Sequence, residues 1–136
     1  MDMNRDIERA RRIIRRLDPD ILAGEIDGFW IRAVGFVNAK SPDEVKEYID
    51  LVEGKIRELK SYEDIIGRGV RAHDTIVCGY ADFGGIIQPT TRMHLELLSE
   101  EDREKAGRIL AVLRSGIEKL ETILRNLKYF YGFVRG

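Results

Sequence analysis

His73 is the side chain best placed for acid–base chemistry near neutral pH. An imidazole titrates there, and His94, the other histidine, falls in a loop. Arg68 stands five residues before it, and a guanidinium suits a phosphate or a developing negative charge. The alternative role for His73 is structural: a histidine at the edge of an apolar helix face, hydrogen-bonded inside a bundle. Both roles remain open at this level.

A second group is basic. Arg5, Arg9, Arg12 and Arg16 step by four, three and four, so they line one stripe of a helix, flanked by Arg11 and Arg15. Such a row matches the phosphates of RNA or another anionic partner. The alternative is a solvated face laced with ion pairs through Glu8. No aromatic residue interleaves with the arginines, so base stacking has no support there. Glu44, Glu47 and Asp50 could in principle share Mg²⁺. With no second acidic pair further along, they read as a solvated face near a helix start.

Other chemistries are missing. One cysteine, Cys78, and two histidines cannot fill a structural zinc site. There is no P-loop, no Glu-x-x-His pair and no nucleophile elbow. No metal and no cofactor are expected.

The stretch Tyr62-Glu63-Asp64-Ile65-Ile66-Gly67-Arg68-Gly69-Val70-Arg71-Ala72-His73 resembles the HEPN family of small helical bundles. Their motif is Arg-x(4–6)-His, often with an aromatic, an acidic residue and Ile-Ile-Gly before the Arg. The resemblance implies a metal-independent RNA endonuclease working at a dimer interface. Arg68 would steady the phosphate and His73 would exchange protons with the ribose 2′-OH. Two positions depart from the pattern: Gly69 where Asn or Asp is frequent, and Thr75 where Tyr is frequent.

These residues need a scaffold. The chain has 136 residues, 43% of them hydrophobic and 35% charged, which suits one globular domain over 1–136 with its own core. Net charge is −1, although residues 1–17 carry six Arg against three acids. Asn and Gln are few beside dense mixed charge, a balance common in thermophiles. No apolar run is long enough for a membrane span, and none resembles a leader. With a lone cysteine, this places the protein in a reducing cytoplasm.

Helix-start signals divide the chain. Asp18-Pro19, Ser41-Pro42-Asp43-Glu44, Ser61-Tyr62-Glu63-Asp64 and Ser99-Glu100-Glu101-Asp102 each read as a cap. They predict an all-α, up-and-down bundle of about five helices, near 2–17, 19–38, 42–59, 62–86 and 100–131. The stretch 88–98 reads as a loop. In 19–38, Leu22, Ile26, Phe29, Ala33 and Val37 keep helical spacing, which favours a buried central helix. The β-branched run at 29–37 keeps a strand open. Gly24, Gly28 and Gly35 form a stripe that would let a neighbouring helix approach closely. In the fourth segment, Tyr62, Ile65, Gly69, His73 and Ile76 fall on one face.

Finally, Ala106, Leu110, Leu113, Ile117, Leu120, Leu124, Leu127 and Tyr131 form an unbroken heptad seam. It is longer than short helices can cover. Tyr129, Phe130, Tyr131 and Phe133 follow it, to cap the core or dock on a partner. These features predict a homodimer through 100–134. The function they favour is a non-catalytic oligomerisation or interaction module, with the endonuclease as the alternative.

Overall fold

The computed structural model describes residues 2–35, 41–82 and 97–134. Among them are four α-helices and no strand: α1 (Met3–Arg16), α2 (Pro19–Gly35), α3 (Pro42–Asp82) and α4 (Glu100–Val134). The caps explain most of the boundaries. Asp2 accepts the Arg5 amide, Ser41 Oγ accepts the Glu44 amide, and Ser99 Oγ accepts the Asp102 amide. Pro19 opens α2, where its missing N–H costs nothing.

The expected break at Ser61 does not occur. The third and fourth expected helices are one helix of 41 residues. Ser61 has the chemistry of a cap, but no Gly or Pro stops the helix before it. Buried positions continue through the site at Val52, Ile56, Leu59 and Ile66. Core burial thus favours continuing the helix over starting a new one. Ile66, fully buried, is the centre of that face rather than Ile65. Residues 36–38 and 83–86, most of the 88–98 loop, and His94 lie outside the described residues.

The chain groups into two compact units. The first comprises Met1–Asp18 and Tyr62–Leu110. Here α1 inserts Ile7, Ala10 and Ile14 against the 62–82 part of α3 and the start of α4. The two helices approach closely at Gly69, whose α-carbon faces the Ala10 side chain and the Asp6 carbonyl. A Cβ there would lie 2.9 Å from that carbonyl oxygen. Arg16 reaches the Tyr62 ring at 6.0 Å, so α1 and this part of α3 run antiparallel.

The second unit comprises Pro19–Ser61 and Ala111–Gly136. Ion pairs Glu53–Lys128 and Lys60–Glu121 set α3 and α4 antiparallel within it. Its core holds Val45, Tyr48, Ile49, Val52, Ile56 and Leu59 against Leu113, Ile117, Leu120, Ile123 and Leu127. On α2, Leu22 and Ile26 are buried, with Ile26 packed on Gly116. Tyr48 donates to the Phe29 carbonyl at 2.6 Å, and Lys55 bridges Glu25 and Glu58.

Two expectations for α2 fail here. The 29–35 part is helix, not strand, but it is not a buried central helix: Trp30, Ile31 and Val34 are exposed. Gly24, Gly28 and Gly35 have nothing within 4 Å of a built Cβ, so no helix approaches them closely. Among the described residues, the glycines that admit another helix are Gly69 and Gly116.

Candidate functional site

His73 is buried, 5% exposed, on the face of α3 turned toward the core of the first unit. Its Nδ1 accepts the Leu98 backbone N–H at 3.1 Å. An accepting Nδ1 places the ring proton on Nε2, in the neutral tautomer. Burial pushes the imidazole below its ordinary value, and the Arg103 charge pushes the same way. Asp74 opposes them.

The surrounding contacts all secure one segment. Arg11 donates to the Leu97 carbonyl, and Arg15 donates to both carboxylate oxygens of Asp102. Burial raises the Asp102 carboxyl, but hydrogen bonds from Arg15 and Ser99 outweigh it and leave its pKa lowered. Lys105 reaches the Arg15 carbonyl. His73 thus belongs to a set of polar contacts that hold 97–102 against α1 and α3.

Arg68 lies elsewhere. Its guanidinium is exposed and pairs with Asp64 at 3.2 Å. Five residues apart on a helix, Arg68 and His73 point about 140° apart, and the chain does not bring them together. Gly69 is occupied by the close approach of α1, so this position has no space for the Asn or Asp frequent in the HEPN pattern.

The arginine stripe is where the spacing puts it. Arg5, Arg9, Arg12 and Arg16 are exposed on the side of α1 opposite Ile7, Ala10 and Ile14. Arg12 pairs with Glu8 at 2.8 Å. Glu44, Glu47 and Asp50 are exposed, and Asp50 pairs with Lys46. Among the described residues, no group of three or more His, Cys, Asp or Glu could hold a metal, and no helix is long and apolar enough to cross a membrane.

Most of the heptad seam is covered within the chain: Ala106, Leu110, Leu113, Ile117, Leu120 and Leu127 are buried, whereas Leu124 and Tyr131 are half-buried. An apolar surface in the second unit stays uncovered. Trp30, Ala33 and Val34 of α2 and Ile123, Asn126, Leu127 and Phe130 of α4 line a cavity of about 220 Å³. Beside it, Tyr129 and Phe133 pack edge to face, 73% and 68% exposed. The sequence singled out the aromatics of α4 but not Trp30 or Val34. Their signal was the run Phe29-Trp30-Ile31, which is apolar around more of the helix than one core contact can cover.

No family model, curated protein or solved structure matches the chain.

Proposed function

We propose that this protein is a non-catalytic interaction module whose partner docks on the apolar surface shared by α2 and the C-terminal part of α4. The exposed aromatic cluster around the Trp30–Phe130 cavity carries this reading. Large apolar side chains left together in water are costly unless something covers them. The burial and hydrogen bonding of His73 support a structural role rather than proton transfer. The endonuclease alternative needs His73 and Arg68 of two copies to face one cleft. It would be favoured by RNA cleavage in EDTA that both Arg68→Ala and His73→Gln abolish without loss of helicity.

The interaction reading is tested with a photo-activated cross-linker placed at Tyr129 of the full chain in cells that produce it, with Arg108 as the control position. A protein adduct formed from position 129 in excess of position 108 is expected. Equal yields at both positions would overturn the reading.

A further inference from the structure

We propose that the partner on this surface is a second copy of the chain, seated by exchange of Phe133 into the Trp30–Phe130 cavity of the other copy. This rests on the interaction reading above and adds the partner's identity.

The first argument is self-complementarity. An isologous dimer needs a projection and a receptacle on the same face, so that each copy gives and receives. Phe133 projects 68% exposed one helical turn beyond Phe130, which itself lines the cavity. Projection and receptacle therefore share the end of α4.

The second argument is size. The cavity is about 220 Å³ and its walls are apolar except for Asn126. An apolar cavity of about 150 Å³ already takes a benzene ring. One phenyl side chain fits, and the Asn126 amide sits where it can meet a polar group at the margin.

The third argument is area. Trp30, Ile31, Val34, Tyr129 and Phe133 are 44%, 71%, 56%, 73% and 68% exposed. Given the surface such side chains carry, roughly 600 Å² per copy is uncovered. Two copies meeting there bury about 1,200 Å², the lower end of what specific, stable interfaces bury. Beside the patch, Asp27 pairs with Lys119, while Arg125, one turn before Tyr129, donates to the Thr122 hydroxyl and can keep its charge in water at the rim.

Sedimentation equilibrium on the full chain tests the proposal. Wild type is expected at twice the 15.7 kDa chain mass, with a dissociation constant on the order of micromolar. Phe133→Asp removes the projection and Ala33→Trp fills the receptacle. Each should weaken association at least about tenfold while circular dichroism stays helical. Val77→Asp, at an exposed apolar residue of the other unit, should not change it. A wild-type monomer at about 100 µM, or a dimer unaffected by both patch variants, would overturn the proposal. If the chain is a monomer yet position 129 cross-links to a different polypeptide, the interaction reading stands and the second copy is excluded. If no adduct forms either, both fail.

Discussion

The Nδ1 atom of His73 accepts the amide hydrogen of Leu98 in a buried setting, tying α3 to the residue that leads into α4. The residue with the best titration range for catalysis is thus a structural link. Its environment makes a testable statement about pH. The neutral ring accepts a hydrogen bond, whereas the protonated ring cannot at Nδ1 and would carry a buried charge near Arg103.

The pKa of His73 is lowered on folding, so the unfolded chain binds the proton more readily. Stability is therefore full above the ordinary value of 6.5 and falls as pH drops below it. Asp102, also lowered, adds a second loss as pH falls below its ordinary 3.8. Urea unfolding midpoints should decline between pH 7 and pH 5 in wild type. In His73→Ala the unfolding free energy should be lower at pH 7, by about 1–3 kcal/mol for the unsatisfied Leu98 N–H, and flatter across that range. Parallel pH profiles for both proteins would refute the link.

Glycine substitutions should split by site. Gly69→Ala forces a Cβ against Ala10 and the Asp6 carbonyl, and should destabilise the protein by about 1–3 kcal/mol. Gly24→Ala meets nothing and should stabilise by roughly 0.5–1 kcal/mol through helix propensity. Thermal melts of the two variants beside wild type read both signs.

Were the four exposed arginines of α1 to meet single-stranded RNA, the affinity would be micromolar at best. With one phosphate per arginine, the salt slope should be about −3, from about −0.7 per contact. Arg9→Ala with Arg12→Ala should halve that slope and leave stability nearly unchanged, since exposed ion pairs contribute about 0–1 kcal/mol. A fluorescence anisotropy titration against salt measures it. Identical slopes for the two proteins would leave the stripe as a solvated face.

What could be read from the sequence followed local chemistry. Asp2 aside, the start signals at Pro19, Ser41 and Ser99 mark real helix starts, because each rests on a local proline or side-chain cap. Ser61 carries the same local pattern and fails, because the core around Leu59 and Ile66 outweighs it. The glycine stripe of α2 failed for a related reason: close approach depends on what a neighbour places opposite, as Ala10 does at Gly69. Likewise the α4 seam could be read as a seam, but not that the chain itself would cover it. Burial of His73 follows the helical spacing of its face, but its partner, the Leu98 amide 25 residues on, leaves no periodic trace.

Trp30 is the chain's sole tryptophan and lines the cavity at the centre of the proposed docking surface, so its fluorescence reports on that surface alone. Acrylamide quenching of Trp30 across a dilution series from about 100 µM to about 0.1 µM tests the account most directly. Docking of a second copy predicts that Trp30 is shielded and blue-shifted at high concentration and becomes quenchable on dilution, with Phe133→Asp quenchable throughout. Quenching that is the same at every concentration, and the same in wild type and Phe133→Asp, would contradict it.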